Sequence, residues 1–247
     1  MRAIGRTLIV ITCVATAVAV AALWNDPRIR MAQRRLAAHA AHTRTLADKG
    51  KAYAQSELGR LYFGGYGVPQ DYGQAAYWYQ KAANQGFAEA EYGLGNLYYY
   101  GHGVKQSYSD ARIWYQKAAD QGLTDAEYAL GDLYYYGQGL PQSYENALVW
   151  YRKAADRGDP TAQEVVGTMN YRGYGIPKNY SEAASWYLKA ANQGYAMAEY
   201  DVGYIYENGE GVPRDEEEAL RWYRKAASQG DKKAQQALGQ RFFHLRP

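Results

Sequence analysis

The segment Trp78-Tyr79-Gln80-Lys81-Ala82-Ala83-Asn84-Gln85-Gly86 returns along the chain at a constant spacing. Related copies begin at Trp114, Trp150, Trp186 and Trp222, so that each Trp follows the previous one by 36 residues. A period between about 20 and 50 residues is typical of proteins built from stacked repeats. In such arrays each unit buries its apolar surface against its neighbours, and no single central core forms. The spacing therefore predicts a solenoid.

Each repeat contains two stretches with helical periodicity, the first around Leu58 and the second around Trp78. Glycine inside a helix costs about 1 kcal/mol relative to alanine, so the recurrence of Gly59 predicts that the partner helix approaches closely at this position. We expect replacement of one of the repeated Trp residues by Ala to cost about 3–5 kcal/mol, as for a buried aromatic side chain. The predicted structural core comprises Leu58, Gly59, Trp78, Leu94, Gly95, Trp114, Leu130, Gly131, Trp150, Gly167, Trp186, Gly203 and Trp222.

The ends of both helices carry recognisable signals in every repeat. A glycine that can adopt the left-handed conformation ends the first helix, and a good N-cap residue precedes the second. The glycines are Gly65, Gly101, Gly137, Gly173 and Gly209, and the N-cap residues are Asp71, Ser107, Ser143, Asn179 and Asp215. The Gly-x-Gly that begins with each of these glycines lacks the preceding strand that a nucleotide-binding loop requires.

The register Ala-x₃-Leu-Gly-x₂-Tyr-x₂-Gly-x-Gly-Val-x₂-(Asp/Ser)-Tyr-x₂-Ala-x₂-Trp-Tyr-x-Lys-Ala-Ala-x-x-Gly closely resembles the Sel-one-like repeat (SLR) family, whose α/α units are related to tetratricopeptide repeats. The resemblance covers residues 52–247 and departs from the pattern locally, at Asn170 and Glu216. It implies an all-α protein, an α/α solenoid of 36-residue helix-turn-helix repeats with terminal capping helices. The repeats lie near 52–87, 88–123, 124–159, 160–195 and 196–231, with a half repeat at 232–247.

Two segments precede the solenoid of residues 51–247. In residues 1–24, Arg2 and Arg6 flank an uncharged run from Thr7 to Trp24, which resembles a signal peptide and is also just long enough to be an N-terminal membrane anchor. A buried helix is the alternative. Residues 25–50 read as a basic capping helix, a degenerate half repeat whose apolar stripe includes Ile29, Leu36, Ala37, Ala40 and Leu46. We expect an exported or periplasmic location, or an inner-membrane anchor with the solenoid outside the cytoplasm, although the arginines after the run favour the opposite topology.

Residues that vary between repeats are the candidates for function, since neither stacking nor capping needs them. One face of the first helix carries a row of tyrosines with carboxylates and amides between them, and tyrosine is enriched at protein interfaces. Family resemblance implies that this helix lines a concave surface. The candidate partner-binding residues are Tyr53, Arg60, Phe63, Asn96, Tyr99, Tyr100, Asp132, Tyr135, Tyr136, Thr168, Tyr171 and Tyr204. Alternatively, several of these tyrosines pack between repeats, because Tyr99 and Tyr100 cannot both face a groove.

Composition argues against several other functions. Residues 51–247 carry 20 basic and 23 acidic side chains, which disfavours a nucleic-acid groove. Cys13 is the only cysteine and lies in the apolar run, and the four histidines have no metal-like spacing. We predict no catalytic residue, no metal and no small-molecule cofactor. The resemblance implies an adaptor or scaffold for one or more proteins, bound as a peptide or a folded surface, with membrane contact if the leader is uncleaved. The alternative is an envelope protein that binds glycan or peptidoglycan or modifies the cell wall.

Overall fold

In a computed structural model, residues 26–244 are described, with side chains to residue 239. All regular structure in this range is α-helical, as predicted. The helices are α1 (Pro27–Asp48), α2 (Ala52–Gly64), α3 (Tyr72–Ala83), α4 (Ala88–Tyr100), α5 (Tyr108–Asp120), α6 (Thr124–Tyr136), α7 (Tyr144–Asp156), α8 (Pro160–Arg172), α9 (Tyr180–Asn192), α10 (Ala196–Asn208), α11 (Glu216–Ser228) and α12 (Lys232–His244). Contacts divide the chain into two compact units, one comprising residues up to 97 with 101–105, the other comprising residues 98–100 with 106 onward.

The predicted helix ends are confirmed. The Asp71 side chain accepts a hydrogen bond from the backbone N–H of Gln74 at 2.9 Å, and its equivalents in the other four repeats cap their helices in the same way. Each first helix of the five repeats ends at a glycine in the left-handed conformation, such as Gly65 with φ of 70°. These caps satisfy backbone groups that a helix end leaves without partners, so helix length is fixed locally in every repeat.

The recurring glycine of the first helix packs directly against a tyrosine ring from the second helix. A Cβ atom added at Gly59 would lie 2.7 Å from Cδ1 of Tyr79, which is closer than real Cβ atoms approach other heavy atoms. The same contact joins Gly131 to Tyr151, Gly167 to Tyr187 and Gly203 to Tyr223. The predicted close approach is therefore made by an aromatic side chain, and glycine is required because any side chain would displace the ring.

The repeated tryptophans are less buried than the sequence suggests. Trp78, Trp186 and Trp222 are buried, whereas Trp114 and Trp150 are only half-buried. On the outer side, the lysine three residues later covers the ring, and Lys153 Nζ lies 3.7 Å from the centroid of Trp150. Such cation–π contacts suit a partly solvated aromatic ring. We therefore expect a lower cost of replacement at Trp114 and Trp150, where the more deeply buried aromatic residue is the tyrosine that follows.

A second glycine in each loop sets the distance between consecutive repeats within a unit. Gly67 has φ of 75°, and a Cβ atom there would collide with the carbonyl oxygen of Leu36 in the preceding helix. Gly139 lies against Tyr108 and Gly211 against Tyr180 in the same manner. The loop backbone thus rests directly on the start of the preceding second helix in the solenoid repeats, and on the middle of α1 in the first.

Polar side chains join the two ends of the first, third and fourth repeats. Gln85 Nε2 donates to Gln55 Oε1 at 2.7 Å, and Gln193 and Gln163 form the same pair at 2.8 Å. In the third repeat a charged pair replaces the amides, because Arg157 donates to Glu127 at 3.0 Å. The Glu127 side chain is only 2% exposed, and a carboxylate buried to this degree requires such a partner.

Helix α1 packs against α2, in the place that a second helix would take. Its buried residues are Ala40, Thr43 and Ala47, so the predicted stripe is correct at Ala40 and wrong at Leu36 and Ala37, which are exposed. All three buried residues lie in the second half of α1, so the first half of the helix contributes little to the core. The apolar run of residues 7–24 lies outside the described residues. Among residues 26–244, none of the helices combines the length and the apolar character needed to cross a membrane.

The contact between glycine and the tyrosine ring gives a testable prediction, and the glycine at the same position of α12 provides the control. Gly131→Ala should lower the free energy of unfolding by about 1–3 kcal/mol, the usual effect of overpacking, because its Cβ would lie 2.5 Å from the Tyr151 ring. Gly239→Ala, at the same register position in α12, should raise it by up to about 1 kcal/mol, since no described atom lies within 4 Å. Urea unfolding measures both, and equal losses would contradict the assignment.

The different burial of Trp150 and Tyr151 gives a second prediction. Tyr151→Ala should cost about 3–5 kcal/mol, since Tyr151 is 2% exposed and its hydroxyl donates to Asp132. Trp150→Ala should cost clearly less, because one side of its ring faces solvent and Lys153. Thermal and urea denaturation of the two variants, prepared in the same way, tests the order. A larger loss for Trp150→Ala would show that the tryptophan is the main packing element.

Candidate partner-binding surface

In the first unit, the predicted partner-binding residues are largely engaged in local contacts. Arg60 forms two hydrogen bonds of 2.7 Å with Glu57 one helical turn away. Phe63 packs between Tyr72 and His102, with ring centroids 5.4 and 6.2 Å apart. Asn96 is half-buried, whereas Tyr53 is exposed. The structure therefore uses Phe63 as a packing residue between a first helix, a loop and the following helix.

In the second unit, adjacent tyrosines at the ends of α4 and α6 divide into one packing and one exposed residue. Tyr135 is half-buried and packs against Tyr144 and Tyr174, while Tyr136 is 63% exposed. Tyr99 packs in the same way against Tyr108, and Tyr100 is 60% exposed. Consecutive side chains on a helix point in directions about 100° apart, so only one of each pair can reach the surface. Tyr99 and Tyr135 thus follow the packing alternative.

The exposed rings are held by the packed ones. Tyr100 meets Tyr99 edge to face with centroids 4.7 Å apart, and Tyr136 meets Tyr135 at 4.9 Å. Loop glutamines fix the helix ends beneath them, since Gln142 Nε2 donates to the Tyr135 carbonyl oxygen at 2.7 Å. The sequence analysis missed these glutamines, although Gln70, Gln106 and Gln142 share one register position.

A cavity of about 130 Å³ opens beside Tyr136, between α6, α7 and α8. We call it the Asp132 cavity. Asp132 accepts a hydrogen bond from the Tyr151 hydroxyl at 2.6 Å, and burial raises the pKa of the Asp132 carboxyl, an effect that this hydrogen bond opposes. Its lining residues are Tyr128, Asp132, Tyr135, Tyr136, Tyr151, Glu164, Val165, Thr168 and Met169.

A second cavity, of about 270 Å³, lies one repeat further along and is called the Asp201 cavity. It differs in charge because two cations, Arg172 and Lys233, line it together with Asp201. Thr168 lines both cavities and donates to Glu164 at 2.8 Å. The remaining lining residues are Tyr171, Tyr187, Tyr200, Tyr204 and Ile205. Of the predicted residues, Asp132, Tyr135, Tyr136, Thr168, Tyr171 and Tyr204 are thus brought to the two cavities.

Two carboxyl groups meet between the cavities, because the side chains of Glu164 and Asp201 hydrogen-bond to each other. Burial, followed by the charge of Glu164, raises the pKa of Asp201 to about 8. Burial also raises the pKa of Glu164, while its hydrogen bonds to Thr168 and Asp201 act in the opposite direction. Two carboxyl groups in such contact share one proton, so Asp201 holds a proton at neutral pH and donates it toward Glu164.

The sequence analysis missed Glu164. Its register position holds Ser56, Tyr92, Tyr128 and Tyr200 in the other repeats, so a single carboxylate among tyrosines was the available signal. It could not be read as a site because Asp201, on the next first helix, is 37 residues away in the chain. Only the packing of α8 against its neighbours brings the two carboxyl groups together.

A family model for the Sel1 repeat matches the chain five times without a gap, at residues 52–87, 88–123, 124–159, 160–195 and 196–231. The chain belongs to the Sel1 repeat family. The resemblance inferred from the Trp-Tyr-x-Lys-Ala-Ala register is thereby confirmed, together with the α/α solenoid class.

Solved structures agree with this assignment. A Sel1 repeat protein from Oxalobacter formigenes is 35% identical with a TM-score of 0.74, over 81% of this chain and 80% of that one. The protective antigen c5321 of uropathogenic Escherichia coli, which displays an SLR fold, is 32% identical with a TM-score of 0.70, over 81% of this chain and 50% of that one. A putative Sel1 repeat protein from Klebsiella pneumoniae, 22% identical with a TM-score of 0.52 over 81% of this chain and 98% of its own, shares the fold. Comparison with curated proteins gave no match.

Sel1 repeat proteins are generally scaffolds for protein–protein interaction, and the solenoid is typically non-enzymatic. In this Sel1 repeat protein, the variable residues of α6, α8 and α10 form two polar, tyrosine-lined cavities within one compact unit. Among residues 26–244, no group of three or more His, Asp or Glu side chains is placed to hold a metal ion. The side chains that line the two cavities offer hydrogen bonding, charge pairing and aromatic contact.

The proton on Asp201 gives a prediction of pH dependence. Because the pKa of Asp201 in the folded protein is about 8 against 3.8 for the free side chain, the folded state keeps a proton that the unfolded chain releases between these values. Stability should therefore fall as pH rises from about 4 to about 8 and should then level off. Besides Glu164, Asp231 acts to raise this pKa and Lys233 to lower it.

Asp201→Asn should remove much of this slope. Urea unfolding at pH 5, 6.5 and 8 measures it, with Asp125→Asn, an exposed carboxylate on α6, as the control. The control should retain the wild-type slope. If Asp201→Asn retained it as well, the shared proton would not be present.

Proposed function

We propose that this Sel1 repeat protein is a non-enzymatic scaffold that binds a protein partner through the exposed tyrosines of its first helices. The surface consists of Tyr100, Tyr136 and Tyr204, which we call the tyrosine row. These residues are 60%, 63% and 39% exposed. Large, exposed aromatic rings are the side chains that most often anchor protein interfaces.

The observation that carries the proposal is that the exposed rings are pre-oriented. Tyr100 and Tyr136 each rest edge to face on a packed tyrosine, so their orientation is largely set before a partner arrives. Binding then loses less side-chain entropy than it would with mobile side chains. Two polar cavities beside the row provide hydrogen-bonding groups for specificity.

We also propose that the protein acts at the cell envelope, with the solenoid outside the cytoplasm. The support is the N-terminal sequence, in which Arg2 and Arg6 precede the uncharged run from Thr7 to Trp24. A positive flank followed by an apolar stretch is typical of export signals and of N-terminal anchors. A reporter enzyme that is active only outside the cytoplasm, fused after Pro247, tests the topology, and an inactive but intact fusion would contradict it.

Site-specific photocrosslinking tests the scaffold proposal. A photoreactive phenylalanine analogue replaces Tyr136 or Tyr100 in the full-length protein expressed in its own cells. We expect the same discrete adduct at both positions, since both belong to one surface. The control is Val149 on α7, which is 54% exposed and lies on a second helix.

The affinity of the crosslinked partner for variants of the protein then measures how much the tyrosine row contributes to binding. Tyr136→Ala should weaken binding about fivefold or more, as for an interface residue worth over 1 kcal/mol. Tyr99→Ala and Tyr135→Ala are unsuitable variants because their side chains pack within the fold. Equal adducts at Val149 and Tyr136 would refute the row as the binding surface. Retention of purified peptidoglycan through the same tyrosines, with no protein adduct, would favour the glycan-binding alternative instead.

A further inference from the structure

The Asp132 cavity has the composition of a site for a cation. Its walls combine tyrosine rings with the carboxyl groups of Asp132 and Glu164, and neither Lys nor Arg lines it. Its volume of about 130 Å³ is several times the space that one water molecule occupies on this measure, about 10–15 Å³. The cavity can therefore admit a group larger than water.

Within residues 26–239, neither carboxyl group forms a close ion pair with Lys or Arg, although the charges of Lys233 and Arg172 act on Glu164 from the neighbouring cavity. Asp132 is bonded to the Tyr151 hydroxyl, and Glu164 to Thr168 and Asp201. The contrast with Glu127 on the same helix is informative, because that buried carboxylate is paired with Arg157 at 3.0 Å. The fold thus supplies a cation to the buried carboxylate of Glu127. At Asp132 and Glu164 it leaves two partly desolvated acceptors facing a cavity.

The aromatic walls add to the same preference. Cations are attracted to the faces of aromatic rings within about 6 Å, and this chain uses that contact on its second helices, where Lys189 Nζ lies 3.6 Å from the Trp186 centroid. Tyr135 and Tyr136 provide rings at the Asp132 cavity without an equivalent lysine. The neighbouring Asp201 cavity contains Arg172 and Lys233, so it does not share the preference.

We propose that the Asp132 cavity is a subsite for a basic side chain, Lys or Arg, of the protein partner, with Asp132 and Glu164 as charge acceptors and Tyr135 and Tyr136 as the aromatic wall. This deepens the scaffold proposal and rests on it, because it assigns the chemistry of one anchor residue on the partner. A partner segment crossing the tyrosine row would place that anchor beside Tyr136. Binding of the cation would restore the electrostatic stabilisation that burial removes from the two carboxylates.

Two small molecules of the same shape test the charge preference directly. The probes are n-butylguanidinium, which represents an arginine side chain, and n-butylurea, its uncharged analogue. Saturation-transfer NMR on the full-length protein in detergent micelles measures the affinity of each. We expect the wild type to prefer the guanidinium about tenfold, the effect of one charge-assisted hydrogen bond and a cation–π contact.

The variant Asp132→Asn/Glu164→Gln should bind the two probes equally. Its matched control is Asp125→Asn/Asp156→Asn, which removes the same charge from exposed positions of the third repeat. The control should keep the tenfold preference. Asp132→Asn alone preserves an acceptor for Tyr151 and should reduce the preference severalfold, so it serves if the double variant fails to fold. An undiminished preference in a folded Asp132→Asn/Glu164→Gln protein, or an equal loss in the control, would overturn the subsite.

The partner identified by crosslinking separates this proposal from the broader one. The subsite is supported if the Asp132→Asn/Glu164→Gln variant loses the preference for guanidinium and also binds that partner with about tenfold lower affinity. If the partner binds this variant with unchanged affinity, the subsite is refuted and the scaffold proposal stands. If no adduct forms with the photoreactive analogue at position 136 or 100, the scaffold proposal and the subsite's role in it both fail, whatever the small molecules show.

Discussion

The contact between a tyrosine of the second helix and a glycine of the first helix sets the geometry within four of the repeats. At Gly59, Gly131, Gly167 and Gly203 the ring occupies the space that a Cβ atom would need. The two helices of a repeat can therefore approach until the ring lies on the backbone, and protein interiors tolerate little deviation from such packing. A second glycine repeats the principle between repeats, where Gly139 rests on Tyr108. Stacking distance is thus set by backbone contacts, which leaves most other side chains free to vary.

That freedom explains where the distinctive chemistry of the protein lies. The conspicuous Trp-Tyr-x-Lys motif is structural: its tyrosine is buried, and its lysine covers a tryptophan that is half-buried in two repeats. On the first helices, by contrast, one register position changes from Arg60 to Asp132 to Thr168 without altering the fold. Variation there changes charge and hydrogen bonding while the scaffold remains constant.

The buried carboxyl groups fall into two classes: some have a partner inside the fold, and others face a cavity. Glu127 is enclosed and paired with Arg157, and Glu199 accepts a hydrogen bond from Gln229 at 2.8 Å. Asp132, Glu164 and Asp201 instead face cavities, and burial raises the pKa of each. Desolvated carboxyl groups without a close cation cost stability. At Asp132 and Glu164, binding of a charged partner group would recover part of that cost, whereas the charge of Lys233 already acts on Asp201. Perturbed groups of this kind mark the candidate site more clearly than composition does.

The sequence by itself determined the repeat length, the helix boundaries and the family, because caps, glycines and the aromatic register are local signals that recur five times. It also placed Tyr136, Asp132, Thr168 and Tyr204 on one helix face, since helical spacing alone decides that. Tertiary structure decided which of two adjacent tyrosines is exposed, because the loop that buries Tyr135 belongs to the next repeat. It also decided that Glu164 meets Asp201, 37 positions later. A one-dimensional pattern cannot encode such pairs, since their proximity depends on how consecutive repeats pack.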